Sequence, residues 1–179
     1  LKRVLRAAKA NNILRVHWTG GEPTIFKDKD DNIVSLIQYA HDLGYVDQIM
    51  TTNGSIFYRM IDDIASSGLN RVNISIDSLN GERNYSLTQR DMLSQTKQSL
   101  EEAVKKFSQV TKMNVVAMKD TIPELPEFIK YASALMAMPN AIGKVAIKLI
   151  EICPNNPAQL QDSGEKFYLK QQLQKLMKK

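Results

Sequence analysis

Apolar and polar positions along the chain change period repeatedly, from a helical spacing of three and four to short runs of strand type and back. The opening stretch LKRVLRAAKANN places Val4, Leu5 and Ala8 on one face and predicts a helix. Ile13 to Trp18 is a compact apolar and aromatic run that stops at Thr19-Gly20-Gly21, as a buried strand does. Ile33, Leu36, Ile37, Ala40 and Leu43 then recur at helical spacing, with Gly44 placed to end the helix. The rhythm continues with a strand over Val46 to Thr52, a helix over Met60 to Ser67 stopped by Gly68, and a strand over Arg71 to Asp77. A helix over Asp91 to Phe107, a strand over Thr111 to Met118, a helix opened by Pro123 and running to Met136, and a strand over Lys144 to Ile152 complete five strands. Strands separated by helices of this length favour parallel pairing through right-handed crossovers, in an open doubly wound sheet or in part of a barrel.

The polar residues gather at one end of these strands. Thr19-Gly20-Gly21-Glu22-Pro23, Thr51-Thr52-Asn53-Gly54, Ser75-Ile76-Asp77-Ser78 and Glu151-Ile152-Cys153-Pro154 all fall where a predicted strand finishes. In parallel α/β folds that end is where ligands bind. Each segment taken alone also reads as ordinary turn chemistry. Gly20 and Gly21 remove two Cβ atoms and let backbone approach a ligand closely; Glu22 offers a carboxylate suited to an ammonium group, and Pro23 fixes the exit of the turn. Thr51, Asn53 and Ser75 bring neutral hydroxyl and amide groups that orient a ribose or carboxylate without burying charge. Asp77 is placed either to accept from a sugar hydroxyl or to cap its own turn.

Composition narrows the field. With 179 residues and 43% apolar side chains the chain can bury a real core, which excludes a disordered tail. No stretch approaches the roughly 18 apolar residues that span a bilayer, and no signal-peptide pattern opens the sequence, so a soluble, cytoplasmic protein is expected. Lys and Arg exceed Asp and Glu by 24 to 19, a modest excess that suits an anionic small molecule and does not point to nucleic acid. The single cysteine, Cys153, cannot form an intramolecular disulfide or by itself hold zinc or an iron–sulfur cluster. One core over residues 1–157 and a lysine-rich helix over 158–179 is the simplest division. Because the sequence starts at Leu1 and opens directly onto a helix, upstream sequence is expected.

TGGEP, TTNG, RVNISIDSL, LTQRD, KMNVVAM and IKLIEICP occur in the order seen in radical S-adenosylmethionine enzymes, and the chain resembles that family from about Val16 to Pro154, most closely its GTP 3′,8-cyclases of molybdenum-cofactor biosynthesis. The resemblance implies a partial (βα)6, TIM-like barrel of parallel strands lacking its first strand, whose strand ends bind S-adenosylmethionine beside a [4Fe-4S] cluster. In that family the cluster reduces the sulfonium, and the resulting 5′-deoxyadenosyl radical takes hydrogen from GTP. Carried over by position, Gly20, Gly21, Glu22 and Pro23 hold the methionine moiety, Ser75 contacts the cofactor, Asn53 and Asp77 are expected to bind it as well, and Cys153 stands where a methionine often packs on it. Thr51 and Lys112 match positions that contact GTP. His17 and Lys148 stand where the cyclases carry arginines, which removes a planar two-donor contact at each.

The family's CxxxCxxC cluster motif is absent, so the cluster ligands are expected outside this sequence and the chain alone is expected to be inactive. Two other readings stay open: a radical enzyme acting on a peptide or another small molecule, and a non-catalytic module that binds S-adenosylmethionine or a nucleotide. His41 and the lysines of the last helix read as solvated, the eight methionines as packing, and Trp18 as either pocket lining or packing. A barrel without its first strand leaves an open edge, from which self-association is expected.

Overall fold

The computed structural model of the protein describes residues 1–118 and 120–151. Helix α1 (Lys2–Ala10) leads into strand β1 (Arg15–Trp18), followed by a small hairpin of β2 (Lys27–Asp28) and β3 (Asp31–Asn32). Then come α2 (Ile33–Asp42), β4 (Asp47–Thr52), α3 (Ile61–Ser66), β5 (Arg71–Ser75) and α4 (Gly81–Thr88). The described part closes with α5 (Leu93–Lys106), β6 (Thr111–Ala117), α6 (Leu125–Met136) and β7 (Val145–Glu151). The predicted strands and helices are thus all present up to β7, each within a few residues of its predicted bounds. Cys153 and the segment 158–179 lie outside the described residues.

Local chemistry accounts for the element ends. Asn32 accepts from the Ser35 amide while the Ser35 hydroxyl accepts from the Asn32 amide, a capping box that starts α2, and Gly44 at φ 83° supplies the left-handed residue beyond its end. Pro123 lies in a 3-10 turn (Ile122–Glu124) and α6 itself begins at Leu125, two residues later than predicted. Helix α4 is not legible from periodicity: its one buried residue is Asn84, so no apolar stripe marks it, and its signal is the Asn80 side chain capping the Arg83 amide. The β2–β3 hairpin is likewise too short and polar to register.

Five strands form one parallel sheet in the order β1-β4-β5-β6-β7. That order decides between the two predicted architectures. A doubly wound sheet reverses direction partway and places helices on both faces, whereas a sheet that adds each new strand beside the last, with crossovers of one hand, keeps its helices on one face and curves as a barrel does. Val72, Ile74, Met113 and Val115 face the helices and are completely buried, against Ile37, Ile64, Leu100 and Phe128 from the helical layer. Trp18 belongs to this packed face, donating Nε1 to Gln48 Oε1 at 3.1 Å, so it is packing rather than pocket lining. No described helix is long and apolar enough to cross a membrane.

Candidate functional site

The opposite, concave face carries the polar alternates of the same strands, and its rim is tied together by Glu22. The loop after β1 turns through Gly20 at φ 95° and Gly21 at φ 53°, conformations that strain any residue with a Cβ. A Cβ at either position would meet nothing within 4 Å, so both glycines border open space. Glu22 then turns back into the protein. Its Oε1 accepts from the Thr24 amide at 3.1 Å and from the Thr24 and Thr52 hydroxyls at 2.6 Å each; its Oε2 accepts the Asn53 amide at 2.7 Å. One carboxylate therefore fastens the end of β1 to the end of β4, with Pro23 buried behind it. Asn53 accepts from Ser55 N in an Asx turn and Gly54 follows at φ 75° against Ile74 and Thr96. Asp77 Oδ1 accepts the Val116 amide at 2.9 Å and joins the end of β5 to β6.

Below the rim lies a mostly cationic surface. His17 Nε2 and Thr51 Oγ1 are 2.7 Å apart, and Asn73 Nδ2 donates to the same hydroxyl at 3.2 Å. Arg71 donates to Asp47 at 2.7 Å, with Arg15 at 3.7 Å from the same carboxylate oxygen. Register sets Lys112 beside Asn73, and Asn114 beside both Ser75 and Lys148. Two atoms of this face are buried without a partner among the described residues: Arg71 Nε and Asn114 Oδ1. A buried polar atom left unpaired costs about 1–3 kcal/mol.

Burial, followed by the charges of Lys148 and Arg71, holds the His17 imidazole below its ordinary pKa. His17 on β1 and Lys148 on β7 stand on the two edge strands of the five-stranded sheet.

The concave face thus brings together His17, Thr51, Lys112 and Lys148, and its rim carries Gly20, Gly21, Glu22, Pro23, Asn53, Ser75 and Asp77. The carboxylates of Glu22 and Asp77 are engaged in holding the rim. Three residues of the face, Arg71, Asn73 and Asn114, escape the sequence reading. Their signal is the alternation Arg71, Asn73, Ser75, Asp77 on β5 and Lys112, Asn114 on β6, which sets them on one face with the residues that the motifs single out. The described residues contain no group of three His, Cys, Asp or Glu side chains able to hold a metal ion, and a single cysteine cannot furnish the thiolates of an iron–sulfur cluster.

Sequence and structure comparisons agree with this architecture. The chain is 36% identical over 153 residues to a probable GTP 3′,8-cyclase of Pyrococcus abyssi, covering 85% of this chain and 45% of the relative. It is 35% identical over 130 residues to the GTP 3′,8-cyclase of Helicobacter pylori, covering 70% and 39%. The enzyme of that name from Desulforamulus reducens is 33% identical over 153 residues, covering 85% and 44%. The chain spans less than half the length of each of these relatives. Among solved structures, Streptococcus suis SuiB bound to S-adenosylmethionine shares the fold with a TM-score of 0.65 at 21% identity, over 86% of this chain and 34% of that one. Residues 1–132 match the Radical SAM superfamily, and the chain belongs to that superfamily.

Proposed function

We propose that this chain forms the cofactor- and substrate-binding face of a radical S-adenosylmethionine enzyme whose substrate is a nucleoside triphosphate, GTP by likeness to its relatives. The observation that carries the reading is the division of the concave face. A rim of bare backbone and neutral donors stands over a surface bearing Arg71, Lys112 and Lys148, the order needed to hold a zwitterionic nucleoside above and a polyanion below.

S-adenosylmethionine fits the rim. Open backbone at Gly20 and Gly21 admits the amino and carboxylate end, and Ser75 and Asn53 offer neutral groups to the ribose. When bound, S-adenosylmethionine would supply the radical chemistry for hydrogen abstraction from the substrate. The chain's own part is placement. Glu22 and Asp77 keep the strand ends at fixed separation, Thr51 and Asn73 hold neutral hydrogen bonds at the centre of the face, and Lys112 and Lys148 meet phosphate as point charges. The described residues do not furnish a [4Fe-4S] site.

The test is anaerobic reconstitution of the complete gene product with iron and sulfide, followed by measurement of 5′-deoxyadenosine. Formation that requires GTP supports the reading. Formation with a peptide or another small molecule in place of GTP rejects the substrate but keeps the family chemistry, and that alternative draws on His17 and Lys148 standing where the cyclases carry arginines. Failure to form 5′-deoxyadenosine with any substrate leaves a non-catalytic binding module.

A further inference from the structure

Among the described residues, the concave face contains one group able to change its charge near neutral pH, and it sits where the cations converge. His17 on β1 is partly desolvated while much of its side chain stays open to solvent, and its Nε2 is committed to Thr51. No partner for Nδ1 exists among the described residues. The charged groups around it can be followed element by element: Arg15 on its own strand, Asp47 on β4, Arg71 on β5, Lys112 on β6 and Lys148 on β7. Asp47 is the lone acid of this set, and it already serves Arg71 and Arg15. Nothing in this set is therefore left to offset a positive imidazole on the empty face.

We infer that His17 couples the binding of a phosphate-bearing ligand to the uptake of one proton, remaining a neutral ring on the empty face and becoming a further cation when a polyanion is seated among Arg71, Lys112 and Lys148. The inference rests on the polyanion reading above and adds to it a specificity device. An arginine at residue 17 would bind phosphate at any pH near neutral; the imidazole binds it in proportion to the proton it gains.

The sign follows from linkage. Burial and the neighbouring cations disfavour the imidazolium when the face is empty, whereas a ligand carrying two or more negative charges reverses that field. The ligand-bound protein then holds the proton more tightly than the free protein. Affinity rises as pH falls through the bound-state pKa and levels off below the free-state pKa. Between those two points the gain approaches about tenfold per pH unit.

Inorganic triphosphate is the probe, titrated by calorimetry into the 179-residue chain from mildly alkaline to mildly acidic pH in buffers of different ionisation enthalpy. Triphosphate also takes up protons in this range, so each result is read as the difference between the wild type and His17→Asn, which keeps a polar side chain beside Thr51 without titrating. The wild type is expected to take up close to one proton more per ligand than H17N and to show the steeper pH dependence. His17→Arg is expected to bind more tightly than the wild type at the alkaline end, with the slope of H17N. The chain has only two histidines, so the imidazole titration of His17 can be followed by NMR with His41, on the outer helix α2, as the internal reference. Saturating triphosphate should raise the apparent pKa of His17 and leave His41 in place. Equal slopes in wild type and H17N, or an unmoved His17 titration, overturns the proton coupling while the polyanion site stands. No triphosphate binding by any of the three proteins at any pH overturns the polyanion site and the coupling together.

Discussion

Replacing Glu22 by glutamine isolates the carboxylate that closes the rim. The side chain keeps its length and shape, so the change is confined to charge and hydrogen-bond direction. Glu22 accepts four hydrogen bonds, and two of the donors are backbone amides, Thr24 N at Oε1 and Asn53 N at Oε2. The Thr24 and Thr52 hydroxyls can rotate to accept from an amide, but a backbone N–H cannot. Whichever way the substituted carboxamide is turned, its NH2 faces a backbone N–H and leaves that donor unpaired. The expected cost combines one orphaned donor with the weakening of the other bonds to a neutral acceptor, about 3 kcal/mol in all. For a chain of this size that corresponds to a fall in Tm of roughly 6–12 °C. Thermal unfolding by circular dichroism, checked by urea titration, measures it. The double variant with Thr52→Val should fall by less than the sum of the two single changes, because the 2.6 Å bond between the side chains is counted in both. A Tm for E22Q within about 2 °C of wild type, well short of the shift expected for such a loss, would show that the four bonds do not hold the rim.

Other outcomes follow from the packed face and the open edge. Gln48 is fully buried, accepts from Trp18 Nε1 and donates to the Ile37 and Gly68 carbonyls at 3.0 and 3.3 Å, so Gln48→Leu should cost about 2–4 kcal/mol in urea unfolding by removing all three bonds and orphaning the buried indole N–H. Gly54→Ala combines a positive φ with a Cβ 3.2 Å from the Thr96 backbone and should lower stability by about 2 kcal/mol or more, whereas Gly81→Ala, where a Cβ meets nothing, should change it by less than about 1 kcal/mol. On its outer side β1 has no partner strand among the described residues, with Ile13 and Leu14 exposed beside it; we propose that this edge recruits a second copy, seen as concentration-dependent mass in sedimentation, and a monomer at every concentration would contradict it.

How far the sequence announces this structure depends on whether apolar spacing carries the signal. Strands β4, β5 and β6 and helices α2 and α5 are marked by buried residues at the right period, and each lies within a few residues of its predicted bounds. Helix α4 buries only Asn84 and escapes the pattern because a cap, not an apolar stripe, marks it. Whether the sheet is doubly wound or barrel-like cannot be read from the rhythm, since both share it; the neighbour order decides it. In the site, the Gly-Gly and Thr-Thr-Asn-Gly segments are legible as strand ends, and their convergence is the expectation that the structure makes concrete through Glu22. What stays hidden is that Glu22 points back to bind Thr52 and Asn53, and that Arg71, Asn73 and Asn114 share the concave surface. Both depend on how strands curve and pair, and a single strand's pattern does not contain that.

The central claim is that the ends of β1, β4, β5 and β6 form one cradle for S-adenosylmethionine. Backbone amide NMR of the chain titrated with that cofactor tests it most directly, because chemical shifts register even weak binding and report its location. The account predicts saturable shifts at Gly20, Gly21, Asn53, Ser75 and Asn114 with the outer helices α2 and α5 unmoved. Shifts confined to the helical face, or an unchanged spectrum at millimolar cofactor, would contradict it.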